Sequence, residues 1–303
     1  SYMEQLVALV AFPNALMLYV LMDIVIVLAL LLTIRLLAGS QSKVSVSDEL
    51  ASKDNAAFGI SVAGRMIALC IVLSAIVGRH IGQGFDIAAL GMLLFGTIGI
   101  LLIKLGRVAH DKVILHRLVK DEAIAKRNTA VAVVDASSAI ASAIVIYGVI
   151  NWVKGTDTQA IVAIITGFFV MLTVLLVTTR IYELRFARNN QVDSLQGQLR
   201  KGNLALGIQH SGNLIGTALV VSGAGDILQY DAATYVTNAT GWLFCGVVGA
   251  FLLALIVGLA KRLVLLGIDW KQEVDLQENT GIATLEWVLS VGIALIVLGI
   301  IRF

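Results

Sequence analysis

The chain has 303 residues, of which 58% are hydrophobic and only 14% charged, with a formal net charge of +2. A soluble domain carries about a quarter charged residues, so this composition excludes a water-covered globular protein and favours lipid as the surrounding medium. The two cysteines, Cys70 and Cys245, lie in apolar stretches and indicate neither a disulfide framework nor a metal site.

Eight stretches are long and apolar enough to cross a bilayer, which takes about 20 residues. In chain order they cover residues 14–38, 57–78, 86–107, 128–151, 158–181, 203–223, 236–261 and 281–301. The single proline, Pro13, precedes the first stretch, so no span is interrupted by one. The pattern predicts an all-α membrane protein with eight transmembrane helices.

The connections after helices 1, 3, 5 and 7 are long and basic, whereas the opposite side has only Arg79, Lys154 and Arg302. Basic loops stay in the cytoplasm, so we expect both termini on the periplasmic or outer side. Orientation accounts for these basic residues, and they give no support to nucleic-acid binding. Apolar residues between Arg107 and Arg127 indicate that helix 3 continues into the cytoplasm, where it could dock a cytosolic protein, lie on lipid or pack on neighbouring loops.

An asparagine opens each even-numbered helix, followed by small and apolar residues. The four asparagines are Asn55, Asn128, Asn203 and Asn279. Each follows a charged loop, where its side chain can cap the free amides of a helix start. Four such openings indicate a two-helix hairpin repeated four times.

Glycines repeat as well. Helix 3 carries Gly91, Gly96 and Gly99, and helix 7 carries Gly241, Gly246 and Gly249 at the same spacing. Such glycines let helices approach closely in lipid. An even number of helices per half keeps both halves in one orientation, so we predict parallel repeats at 1–153 and 154–303, related by a pseudo-twofold axis along the membrane normal.

A four-helix unit with Asn-x-Ala opening its even helices, present twice in one chain, resembles the bacterial inner-membrane family called domain of unknown function 350. The last copy departs from the pattern, with Gly281 in place of alanine. The resemblance covers nearly the whole chain. It implies a bacterial cytoplasmic-membrane protein from a family with no settled activity, and it assigns no functional residues.

The asparagines also locate a layer of ionisable residues inside the membrane. Seven residues on from them stand Val62, Asp135, His210 and Glu286. Arg65 lies one helical turn further along helix 2, and all of these sit about 10–15 Å below the helix starts. Charges at that depth should face inward and pair, Arg65 with one acid and His210 with the other. Asp23 in helix 1 is a separate intramembrane acid.

Two interpretations of this layer stay open. In one, the carboxylates and His210 form a polar path for an ion- or proton-linked transporter or channel. In the other, the charges are buried ion pairs that hold the helices in register, and the protein is a scaffold that recruits cytosolic proteins through its basic loops. No nucleophile, metal or phosphate-binding motif supports an enzyme, and no cofactor is expected. A homo-oligomer is compatible with either interpretation.

Overall fold

The computed structural model describes residue 2 and residues 6–155, 157–190 and 194–302. These residues form eight long helices, with short helices in several of the connections. The long helices are α1 (Leu16–Ser42), α2 (Ala56–Ser74), α3 (Phe85–Val113), α4 (Thr129–Trp152), α5 (Thr158–Asn189), α6 (Leu204–Ser222), α7 (Tyr235–Val264) and α8 (Thr280–Ile301). All eight are long and apolar enough to span a bilayer, which confirms the predicted class.

The asparagines cap the even helices as predicted. In α2, α4, α6 and α8 the side-chain oxygen accepts a hydrogen bond from the amide three residues on, at 3.3, 3.1, 3.0 and 3.1 Å respectively. A short helix lies just before each cap, at Asp48–Ser52, Lys120–Ala125, Leu195–Arg200 and Trp270–Asp275. These four short segments are the loop helices, and they lie on what we term the long-loop side of the protein.

The capping asparagines also join neighbouring hairpins. The Asn55 side-chain amide donates to the Ile124 carbonyl at 3.0 Å, and that of Asn203 donates to the Val274 carbonyl at 3.2 Å. The Asn128 amide reaches the Leu199 carbonyl at 2.9 Å in the same way. Each of these three asparagines therefore donates to a carbonyl of the loop helix in the hairpin that follows it.

Replacing Asn203 with alanine should cost more stability than the same change at Asn279. Both side chains cap a helix, and losing a cap costs about 0.5–2 kcal/mol. Only Asn203 also donates to two carbonyls, those of Val274 and Asp275, each at 3.2 Å. Thermal unfolding in detergent should show a clearly larger drop for Asn203→Ala. Equal drops would show that the bonds between hairpins contribute nothing.

The eight helices form two layers. The even helices stand side by side in the order α2, α4, α6, α8, and each neighbouring pair shares a long interface. The odd helices cover this row: α3 packs on α2 and α4, α5 packs on α4 and α6, and α7 packs on α6 and α8. Helix α1 covers α2 and α3 at one end. The centre of the row is the most buried part of the chain, whereas α1, α7 and α8 expose many apolar side chains to lipid.

Small residues allow the even helices to touch backbone to backbone. A Cβ added at Gly64 would lie 2.4 Å from the Ala136 Cα, and one added at Gly212 would lie 2.7 Å from the Trp287 Cα. Without a hydrophobic drive between helices in lipid, such close packing is a main source of association. The closest approaches of one helix backbone to another at these glycines therefore lie in the even row.

The predicted packing glycines of the odd helices have a different role. Gly99 and Gly249 receive the side chains of Val72 and Val220, at 2.7 and 2.8 Å from an added Cβ. Gly91, Gly96, Gly241 and Gly246 likewise face side chains, those of His80, Leu30, Leu228 and Val174. They make room for side chains of the neighbouring segment, and among the described heavy atoms nearest to an added Cβ, helix backbone occurs only at Gly249, as the Val220 carbonyl oxygen 3.8 Å away.

The two four-helix repeats are present, but the row that they form is open. A closed twofold would give α2 and α8 the same interface that α4 and α6 share. Among the residues that the structure describes, α2 and α8 share no interface of comparable extent. The same step relates each even helix to the next, so the two repeats follow one another along the row and do not close on each other among the described residues.

Candidate functional site: the buried charged layer

Asp135 lies at the centre of a buried ion cluster. Its side chain is 0% exposed and accepts hydrogen bonds from Arg107 on α3 at 3.1 and 3.2 Å. The Lys120 ammonium lies 2.8 Å from one carboxylate oxygen, and the Ser61 hydroxyl donates to the other at 2.5 Å. Lys120 also contacts Asp111 at 2.5 Å. The Asp135 carboxylate is thus fully paired and hydrogen-bonded, as a buried charge requires.

Glu286 occupies the equivalent place in the second repeat with fewer partners. One oxygen accepts from the Gln209 amide at 2.5 Å and lies 3.3 Å from the Lys261 ammonium. The other oxygen, Oε1, is buried and has no hydrogen-bond partner among the residues that the structure describes. Side chains of Glu286 and Lys261 are 1% and 15% exposed. This acid is therefore only half satisfied.

The two acid sites share one design. Ser61 and Gln209 both stand six residues after a capping asparagine, and each donates to the acid seven residues after the next one. The cations differ, because Arg107 comes from within α3 and Lys261 from the last turn of α7. The repeat therefore preserves the acid and its neutral donor while changing the positive partner.

Two histidines join the repeats at this depth. The Nε2 atoms of His110 on α3 and His210 on α6 lie 3.1 Å apart, with both rings buried. One ring must donate and the other accept, so this contact requires at least one neutral imidazole. His110 also interacts electrostatically with Asp135 and Lys120. The polar layer thus runs across the protein, from the Asp135 cluster through the histidines toward Gln209 and Glu286.

The pairing predicted from the sequence is wrong. Arg65 is buried, but its Nη2 donates to Ser61 at 3.3 Å and it forms no ion pair with either acid among the described residues. His210 contacts His110 instead of a carboxylate. The acids take their cations from the last residues of predicted spans and from a basic connection, at Arg107, Lys261 and Lys120. Helix α3 continues past the predicted span to Val113, as the apolar residues after Arg107 indicated, and it carries Arg107 and His110 inward.

One sequence signal pointed to these missed residues. Gly99, Ile103 and Gly106 are small or apolar residues at spacings of four and three, which place them on one helix face, and His110 is the next member of that series. Arg107 follows Ile103 by four residues on the same face. Extending the buried face would have moved both side chains from the loop into the layer.

Asp23 is separate from the layer, as predicted. It is 8% exposed and lies in the first part of α1, nearer the opposite, short-loop side. Its electrostatic neighbour is His80, in the connection between α2 and α3. Asp23 Oδ1 and His80 Nε2 are buried without hydrogen-bond partners in the described part of the chain.

The layer is open toward the long loops and closed on the other side. A cavity of about 460 Å³ on the long-loop side is lined by Arg65, Lys104, Arg107 and Lys120. On the other side the helices meet in an apolar core that includes Ile146, Val149, Ile150 and Trp242. Water can therefore approach the Asp135 cluster from one side only.

Asp275 is a titratable group near Glu286 on the long-loop side. It ends the loop helix before α8 and accepts a hydrogen bond from the Asn190 amide at 2.7 Å. Burial raises the pKa of Asp275 to about 6, and the nearby Glu286 acts in the same direction. It therefore exchanges its proton near neutral pH. Among the described residues, no group of three His, Cys, Asp or Glu side chains could hold a metal ion.

Fold and site together define a class: a multi-pass membrane protein of two tandem four-helix repeats, with paired charges buried between its helices. A family model described as Domain of Unknown Function (DUF350) matches residues 5–150 and 156–301. The chain belongs to this family, which confirms the resemblance seen in its asparagine motif. No curated protein and no solved structure matches the chain.

Proposed function

We propose that the protein is a proton-linked membrane transporter in which Glu286 is the proton-binding group. The observation that carries this proposal is the unsatisfied oxygen of Glu286, buried beside one lysine and one amide. Intramembrane acids are costly to retain and are commonly functional. A carboxylate with an unpartnered oxygen can accept a proton there without breaking an existing hydrogen bond.

We assign the two roles that the sequence left open, a structural ion pair and a proton-binding group, to different acids. Asp135 has Arg107, Lys120 and Ser61 around it, so protonation would break a complete set of ionic hydrogen bonds. It is suited to hold α2, α3 and α4 in register. Among the described residues Glu286 pairs with one cation, Lys261 at 3.3 Å, and it is the better proton carrier.

A route for protons reaches Glu286 from the long-loop side. Asp275, whose pKa burial raises to about 6, interacts electrostatically with Glu286 and Lys261. A group that titrates near neutral pH at this position can pass protons between water and the layer. Because an apolar core closes the other side, we infer a transporter that changes conformation rather than an open channel.

The test is proton flux into liposomes that contain the purified protein and an internal pH dye. Under an imposed membrane potential, the wild type should acidify the vesicles faster than empty liposomes. Glu286→Gln should lose most of that flux, because the amide keeps the shape and cannot bind the proton. Asp226→Asn is the matched control, since this acid pairs with Arg302 at 3.2 Å on the exposed short-loop side.

Folding must be measured in parallel, by elution profile and thermal unfolding. The proposal expects Glu286→Gln to stay folded while flux falls, and Asp226→Asn to keep both. Wild-type vesicles no more permeable than empty ones would overturn it. A Glu286→Gln variant that transports normally would also do so, and one that loses folding together with flux would make Glu286 a structural residue.

A second candidate function is a membrane scaffold, favoured by a basic groove on the long-loop side. This groove has a volume of about 590 Å³ and is lined by Arg117, Lys126, Arg127 and Arg200 among others. Such a surface suits an acidic protein segment or anionic lipid. Charge reversal at Arg127 and Arg200 should abolish recruitment under this hypothesis, whereas Glu286→Gln should leave it intact.

A further inference from the structure

We propose that copies of this chain associate head to tail, with α8 of one copy packing on α2 of the next. The basis is the open row of even helices, along which one type of interface occurs three times. The outer sides of the first and the last helix have no such partner among the described residues. The inference rests on the repeat alone and is independent of the proposed transport.

The three interfaces within the chain use the same positions of each even helix. The side of α6 that meets α8 includes Gln209, Gly212, Gly216 and Gly223, which stand 6, 9, 13 and 20 residues after Asn203. The same side of α2 and α4 supplies Ser61, Gly64 and Gly148 at positions 6, 9 and 20. We call this the forward side of an even helix.

The opposing surface, the rear side, is equally regular. In α8 it includes Trp287, Ser290 and Leu298, at positions 8, 11 and 19 after Asn279. In α4 and α6 the same side supplies Ala136 at position 8 and Ser222 at position 19. Each interface is thus a forward side on a rear side, which is a heterologous contact that can continue indefinitely.

The forward side of α8 has no neighbouring even helix among the residues that the structure describes. Its positions 6, 9, 13 and 20 are Leu285, Val288, Gly292 and Gly299. The side chains of Leu285 and Val288 are 45% and 51% exposed. Cβ atoms added at either glycine would meet no heavy atom of the described residues within 4 Å. This surface is small, apolar and shaped like the surfaces that pack inside the chain.

The rear side of α2 is unfilled in the same way. Positions 8, 11 and 19 are Ala63, Met66 and Ser74, of which Ala63 and Ser74 are exposed and Met66 is half-buried. In α8 the corresponding Ser290 and Leu298 are buried by α6. The rear side of α2 is therefore the kind of surface on which the forward side of α8 would pack.

The hydrogen bonds that asparagines make between hairpins give an independent argument, because they too are missing at the two ends of the row in the described chain. Asn55, Asn128 and Asn203 each donate to a carbonyl of the next loop helix. The fourth, Asn279, donates to its own hairpin at Glu273, 3.0 Å away, and to no further residue among those described. The first loop helix, Asp48–Ser52, correspondingly receives no such bond from a preceding asparagine in the described chain. A second copy would supply both missing partners.

Cross-linking through a native thiol tests this contact. Inside the chain, Leu219 of α6 and Ala294 of α8 belong to one apolar cluster. They stand 16 residues after Asn203 and 15 residues after Asn279. The corresponding residues across the proposed contact are Leu295 of one copy and Cys70 of the next. In a Cys245→Ser background, Leu295→Cys should oxidise in proteoliposomes to disulfide-linked dimers and larger species on non-reducing gels.

Two controls make the cross-link specific. Ile296→Cys places a thiol at the same depth but about 100° further around the helix, so it should cross-link several-fold less. Adding Cys70→Ala to Leu295→Cys should leave only bonds between two introduced thiols and remove the larger species. Equal cross-linking at Leu295 and Ile296 would indicate random collision in the membrane and would overturn the proposal.

A bulky substitution at the open surface provides a second measurement. Gly292→Leu should leave the fold intact, because no heavy atom of the described residues lies within 4 Å of an added Cβ, but should reduce the wild-type assembly to single copies. Gly258→Leu on α7 is the matched control, since a Cβ there also meets no described heavy atom within 4 Å. Subunit counting by photobleaching in vesicles should show assembly in the wild type and Gly258→Leu only. Single copies in the wild type, or assembly unaffected by Gly292→Leu, would contradict head-to-tail association.

Discussion

Replacing Asp135 with asparagine should lower the free energy of unfolding by about 3–5 kcal/mol, the range expected when one partner of a buried ion pair is removed. The change would leave the buried Arg107 guanidinium and the Lys120 ammonium without their shared carboxylate. Reversible unfolding in lipid, followed by tryptophan fluorescence or steric trapping, measures this difference.

Glu286→Gln is the matched variant for that measurement. It also neutralises an acid at the equivalent position, but among the described residues Glu286 pairs with one cation, 3.3 Å away. The amide oxygen of the new glutamine can still accept the hydrogen bond that Gln209 donates. We expect a loss well below that of Asp135→Asn. If the two substitutions cost the same, the division between a structural acid and a proton-binding acid would be wrong.

Gly64→Ala should prevent α2 from packing against α4. The added Cβ would lie 2.4 Å from the Ala136 Cα and 2.5 Å from its Cβ, and neither can yield without moving a helix backbone. Overpacking costs about 1–3 kcal/mol where side chains can adjust, and we expect more here because backbone is involved. The variant should appear as aggregated or degraded protein, measured by its monodisperse yield after detergent extraction.

Gly258→Ala is the control for this substitution. It adds the same methyl group to a transmembrane helix at a site where no described atom lies within 4 Å. The yield should match that of the wild type, and helix propensity even favours alanine slightly. A normal yield of Gly64→Ala would show that the even helices can separate without loss of the fold.

Helix number, helix starts and the four-hairpin repeat were predictable because each depends on local features. Hydrocarbon requires about 20 apolar residues per span, and an asparagine caps a helix through its own neighbours. Both rules act within a short segment, so the sequence displays them directly. The positions of Asp135, His210 and Glu286 in one buried layer followed from the same repeat.

The partners of those residues were not predictable from spacing along the even helices alone. Arg107 lies six residues before the end of α3 and Lys261 in the last turn of α7, and basic residues are also expected in both places from membrane orientation. Two causes produce the same sequence pattern there, and only the packing of α3 and α7 against the even row distinguishes them. Arg65 illustrates the converse, since it has the right depth and charge but points to Ser61.

By itself, the sequence determined that this chain lies in a membrane, how many times it crosses, where its even helices begin and that its hairpins repeat. Tertiary structure alone decided which cation meets which acid, that two histidines join the repeats and that the row of even helices stays open at both ends. The reason is that spans and caps are properties of consecutive residues. Ion pairs and the closure of a row depend on the angle at which separate helices meet, and small residues such as Gly64 and Gly212 permit that angle without specifying it.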